Sequence, residues 1–199
     1  MFLKSNSGQY IKWMALNSFT SSVSSVIATN SMLNSIMIKP SYTDVITTTY
    51  VGKDIIGQFG GLIYSLYTGK KADKEPEKYI KKGIFIQQSS FYLENFSVLI
   101  KSSELILPFL GFSSMLQNIS FISIGAVNAN NLLKLSNENI GELYCKIASI
   151  NTLASTFGMI VGIGIINFVP SYTIRTVCIL PILTTINYYS IVRALKIIK

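Results

Sequence analysis

Lys53 and Asp54 stand together inside the otherwise uncharged run Tyr50–Gly69, and Glu94 is the lone charge in a second such run, Gly83–Ile100. Ionisable groups in a membrane span cost about 2.5–3.5 kcal/mol each on insertion scales and are kept for a partner or a use. Neighbours on a helix point about 100° apart. Lys53 and Asp54 are therefore expected to find partners on other helices, with Glu94 the candidate for Lys53. Two readings stand. One is a buried polar site for a charged solute or a proton-coupled step, with Lys53, Asp54, Glu94 and Asn128 as its binding residues. The other is a structural ion pair that locks two helices, or one near enough to the interface to snorkel. Asn128, Asn130 and Asn131 allow a similar pair of readings, a ligand contact or a cap on the fourth helix.

Other chemistries are thinly supplied. The chain has no histidine, which removes imidazole acid–base catalysis, Ser-His and Cys-His pairs and the usual zinc ligands. Its two cysteines, Cys145 and Cys178, form no CxxC. The residues predict a protein that is not an enzyme and uses no cofactor or metal.

The elements that must position these residues are helices. The 199 residues are 49% hydrophobic and only 13% charged, with mean hydropathy +0.44; soluble domains carry roughly 25% charged residues. A net charge of +8 raises the question of nucleic acid, yet the lysines cluster between apolar runs and no basic, aromatic-interleaved strip is present. We expect no nucleic-acid partner, and a membrane instead. Met1–Lys12 lacks the layout of a cleaved signal peptide.

The pattern predicts an all-α, single-domain integral membrane bundle of about six spans. The first runs over Trp13–Ile38, without charge but rich in Ser, Thr and Asn, so its polar face looks inward; Lys39-Pro40 stops it. The second starts near Asp44 and ends near Gly69. A loop with six lysines, Lys70–Lys82, leads to a third over Gly83–Ile100. The fourth begins near Pro108 and ends near Leu133; a polar loop, Lys134–Lys146, precedes a fifth over Ile147–Phe168. The sixth spans Thr176–Val192 and is kinked by Pro181. With both termini on one side, thirteen basic residues share that side: Lys4, Lys12, the six loop lysines, Lys134, Lys146, Arg193, Lys196 and Lys199. Only Lys39, Lys101 and Arg175 lie on the other. That asymmetry satisfies the positive-inside rule.

Glycines mark the close contacts. Gly57, Gly60 and Gly61 on the second helix and Gly158 and Gly162 on the fifth present faces on which another backbone can settle. The second-helix face is expected to pack internally and the fifth-helix face to receive a second copy or a paralogue. Membrane lipid is the other expected partner.

In order along the chain, these residues resemble the root-UVB-sensitive family, also called the vitamin B6 photoprotection and homeostasis family. Lys53, Asp54, Gly57 and Gly60 match its Lys-Asp-Gly-x-Gly-x-x-Gly segment, with Ile55 in place of a glycine and Gly61 where arginine is common. Asn139, Glu142 (aspartate in the family), Lys146, Ser149 and Thr152 follow in the family's order, then Gly158 and Gly162. Thr20-Ser21, Thr29-Asn30 and the ending Asn187–Leu195 are also similar. The resemblance covers nearly the whole chain, without the family's usual C-terminal extension. It implies membrane association, plastid or other endomembrane location, a link to vitamin B6 homeostasis and pairing with paralogues. A Schiff base between Lys53 and pyridoxal phosphate would suit that link, but no phosphate-binding glycine loop lies beside Lys53. The expected function is a non-enzymatic membrane scaffold or partner protein, with transport of a small solute as the alternative. The six helices also resemble one half of a major-facilitator transporter, an analogy of layout alone.

Overall fold

Where water is scarce, each backbone N–H and C=O must be satisfied within the chain, and a helix does this inside one segment. The computed structural model describes residues 6–37, 43–135 and 139–198 and shows no strand among them. Six helices result: α1 (Asn6–Met37), α2 (Thr43–Lys74), α3 (Pro76–Phe96), α4 (Ser103–Leu135), α5 (Ile140–Phe168) and α6 (Tyr172–Ile198). The expected stop at Lys39-Pro40, Asn137 and Glu138 of the polar loop, and the terminal Lys4 and Lys199 lie outside the described residues.

Both polar loops prove to be largely helix. Lys, Glu and Ala are good helix formers, so α2 continues through Lys74. Only Glu75 intervenes before Pro76 opens α3, at the first-turn position where a missing N–H costs nothing. Lys78 pairs with Glu75 across this turn and holds its carboxyl below the ordinary carboxylate range. Likewise α5 begins at Ile140, so Glu142 and Lys146 sit one turn apart and pair with each other. Pro108 lies inside α4 rather than at its start. The kink expected at Pro181 takes the form of a π-helical stretch, Arg175–Ile179, in which the Leu180 N–H bonds to the Arg175 carbonyl five residues back. A ring at Pro181 would crowd the carbonyl four residues before it, and the wider turn makes room.

α1 is the central post: it packs on α5, α6 and α3, while α4 holds α2 and α3 together. One apolar cluster joins the start of α1 (Tyr10, Ile11, Met14) to the starts of α3 and α5 and the ends of α4 and α6. Successive helices therefore alternate in direction, and the lysine-rich ends gather at that cluster. A second cluster, with Met32, Ile36, Ile106 and Leu110, closes the opposite end.

The glycines mark the tightest crossings. A Cβ at Gly57 would lie 2.9 Å from the Ser114 backbone carbon, and one at Gly61 3.0 Å from Asn118 Cβ, so the second-helix face packs on α4 as expected. The fifth-helix face is not free for a partner. A Cβ at Gly162 would lie 2.8 Å from Val26 Cβ, and one at Gly158 would overlap the Phe19 carbonyl. α1 occupies that face, because its own small and branched residues Ser22, Val23 and Val26 match the glycines there.

Polarity is turned inside out. Lys53 is 6% exposed, whereas Phe59, Leu62, Ile63 and Leu66 on the outer face of α2 are 58–77% exposed. α4, α5 and α6 are long and apolar enough to cross a membrane. α1 and α2 have 32 residues each and α3 has 21, long enough for the ~30 Å hydrocarbon core. Their serines, amides and charges lower their hydropathy, so the expected six membrane-grade helices reduce to three by composition.

Candidate binding cavity

Lys53 corrects the first expectation. Its Nζ lies 2.9 Å from Asp54 Oδ1 and 4.9 Å from the centre of the Tyr50 ring. The adjacent residues do pair, because the lysine's four-carbon stem bends across the angle between the two Cβ directions. Asp54, half-exposed, also accepts a long hydrogen bond from Ser114 Oγ on α4, at 3.4 Å. Glu94, 3% exposed, has Gln117 of α4 beside it and lies in the field of both Lys53 and Asp54. The three charges thus form one cluster among α2, α3 and α4, with Lys53 and Glu94 buried, Asp54 half-exposed, and Glu94 an electrostatic neighbour of Lys53 rather than its direct partner.

Gln117 leads from this cluster to a cavity of about 440 Å³. α1 contributes a stripe at helical spacing, Asn17, Ser18, Ser21, Ser22 and Ser25, and the remaining wall comes from α3, α4 and α5. α4 and α5 make little direct contact, and the cavity lies between them against α1. Ser21 Oγ donates to Gln87 Oε1 at 3.2 Å. Asn187 of α6 fixes the back of the stripe, donating to Ser21 Oγ at 2.7 Å and to Thr20 Oγ1 at 3.1 Å. Two amide atoms of lining residues, Asn17 Nδ2 and Asn151 Oδ1, are themselves shielded from the cavity and have no hydrogen-bond partner among the described residues. Leaving a buried polar atom unmade costs about 1–3 kcal/mol, and Ser24, Gln88, Ser120, Arg175 and Asn187 each hold a further such atom elsewhere in the bundle.

The residues expected to bind are divided by this geometry. Asn128 lines the cavity and accepts from the Tyr10 hydroxyl at 3.2 Å; Asn131 reaches the same hydroxyl at 3.5 Å. Lys53, Asp54 and Glu94 are not part of the wall. Asn139, Glu142 and Lys146 stand at the lysine-rich end of the bundle, away from the lining, and the Asn139 side chain makes no capping bond to α5. Asn17, Gln87, Gln117 and Asn151 were not singled out from the residues. The one signal was the polar stripe of α1, which marked an inward face without saying what it faced.

An all-helical bundle with membrane-grade helices, apolar side chains outside and an uncharged polar cavity inside is the class these features define. The chain belongs to the vitamin B6 photo-protection and homoeostasis domain family, whose sequence profile matches residues 5–199. It is 23% identical over 189 residues to Protein root UVB sensitive 2, chloroplastic, of Arabidopsis thaliana, a match covering 94% of this chain and 43% of that protein. The chain therefore spans less than half the length of that relative. No solved structure matches it.

Proposed function

We propose that this chain binds a small polar solute in the middle of its helix bundle and passes it across a membrane, in the service of vitamin B6 homoeostasis. The observation that carries this reading is the cavity itself, about 440 Å³, large enough for a small molecule and lined by serines and primary amides from α1, α3, α4 and α5. All six helices cross the membrane in this reading, as in one half of a major-facilitator transporter. Transporter sites of that kind lie near the bilayer midplane, and the cavity sits midway along α1 and α4. The membrane is that of a plastid or another endomembrane, in keeping with the chloroplastic relative. The function needs no covalent chemistry on the protein.

The test is uptake into proteoliposomes holding the purified chain. We expect time-dependent accumulation of a vitamin B6 compound that is lost in Gly125→Leu, since a Cβ at Gly125 has open space around it and a larger side chain grows into the cavity. Equal uptake by empty and loaded vesicles overturns the reading.

A second reading is a non-enzymatic scaffold that docks a paralogue or a second copy. Its support is the outer face of α2, where Ile55, Phe59, Leu62 and Leu66 stand exposed, uncovered by any of the described residues. The fifth-helix glycines no longer serve it. Native mass measurement in nanodiscs separates the readings: a dimer lost in Phe59→Ser/Leu66→Ser supports the scaffold, and a monomer removes it.

A further inference from the structure

The lining of the cavity says which chemical form of a solute it accepts, an inference that rests on the function proposed above. Among the described residues that form the wall, none carries a charge. The polar groups are hydroxyls and primary amides, each able to donate or accept, and Phe91 and Phe121 add two aromatic faces. Lys12 is the basic residue nearest in sequence to the α1 wall, but it lies about 200° round the helix from Met14 and rests on the Trp13 ring instead, 6.0 Å from its centre. Beside the lining residue Gln117 lies an acidic group, Glu94, and not a base.

A phosphate placed here would lose its water with no cation to replace it, and an unpaired buried charge is among the most costly groups to desolvate. A neutral ring bearing several hydroxyls meets no such cost. Its hydroxyls can pair with the serine hydroxyls and primary amides of the wall, which both donate and accept, while its faces lie against phenyl rings. We infer that the cavity is a site for an uncharged, hydroxyl-bearing aromatic ring and that it discriminates against the phosphate ester of the same compound. A system that handles both forms would then sort them at this site by charge.

The probes are pyridoxine and pyridoxine 5′-phosphate, titrated by calorimetry into the purified chain in detergent micelles. The expected result is saturable binding of pyridoxine and at least about tenfold weaker binding of the phosphate, the equivalent of one charge poorly compensated. Gly125→Leu should abolish pyridoxine binding, and Asn151→Leu, which removes one primary amide of the wall without filling the cavity, should weaken it; helical circular dichroism confirms that each variant is folded. Equal or tighter binding of the phosphate overturns this inference and leaves the proposed function standing. Binding of neither probe, or binding unchanged in both folded variants, overturns both.

Discussion

Lys53, Asp54 and Glu94 show how far single residues announce their roles. A charge in a glycine-spaced apolar run marks burial, and Lys53 and Glu94 are indeed buried. Which group answers which depends on side-chain reach and on how α2 and α3 sit against α4, neither of which is written in residue spacing. If the three charges act as one cluster, Lys53→Met and Glu94→Gln will not add. Removing Lys53 alone leaves Glu94 buried without its cation; removing both leaves little to compensate. We expect a coupling energy of roughly 0.5–3 kcal/mol between them in a double-mutant cycle read by thermal or denaturant unfolding in detergent. Additivity within about 0.5 kcal/mol would dissolve the cluster into independent side chains. Asn17 and Asn151 were silent in the sequence for a related reason: an amide in a polar stripe is equally at home bonding a neighbouring helix, and only the placement of α5 against α1 leaves these two unpaired.

At the scale of the element, helix identity was legible and helix ends were not. Uncharged runs bounded by lysines placed all six helices, but Lys70–Lys82 and Lys134–Lys146 read as loops because charge was taken as a sign of irregular chain. Helix propensity won there, leaving one residue, Glu75, between α2 and α3. The Glu75–Lys78 pair has a pH signature. Its carboxyl titrates below its ordinary value, so the pair's contribution is present above the unfolded carboxylate range and fades as pH falls through the lowered value. Glu75→Gln should lower the melting temperature slightly at neutral pH, and the gap should close in acid; a gap constant with pH contradicts this. Glycines were legible as contact faces, yet the face on α5 was assigned to the wrong neighbour. Two of them now make opposite forecasts within one helix. Gly158→Ala drives a methyl onto the Phe19 backbone and should destabilise by about 1–3 kcal/mol. Gly164→Ala meets nothing within 4 Å and should stabilise by about 0.4–1 kcal/mol through the unfolded chain. Equal effects at the two positions would mean that α1 does not hold the α5 glycine face.

For the whole molecule, the strongest legible signal was the partition of charge. The bundle carries it out by alternating its helices, so that the starts of α1, α3 and α5 meet the ends of α4 and α6 around one apolar cluster. Those ends bear Lys12, Lys78, Lys81, Lys134, Lys146, Arg193 and Lys196, and the end of α2, one residue from the start of α3, adds Lys71 and Lys74. The opposite end has Lys101 and Arg175, the latter buried and donating to Asn30 at 3.1 Å. Composition alone assigns membrane character to three helices. The case for the other three is their outward surface, since α2 buries Lys53 along its middle and exposes its phenylalanine and leucines there, the reverse of a helix in water. If all six cross, Glu75 and Lys196 face one compartment, and Ser102 and Ser171 face the other. Cys145 and Cys178 are free and exposed, so both are first replaced by serine. Single cysteines are then placed at 75, 102, 171 and 196 and labelled with an impermeant maleimide in sealed vesicles. We expect 75 and 196 to react together and 102 and 171 to react only after the vesicles are opened, or the converse in inverted vesicles. Labelling of 75 and 102 from the same side would mean that α3 lies along the surface rather than through the bilayer. The cavity it helps to wall would then open to water rather than lie at mid-membrane.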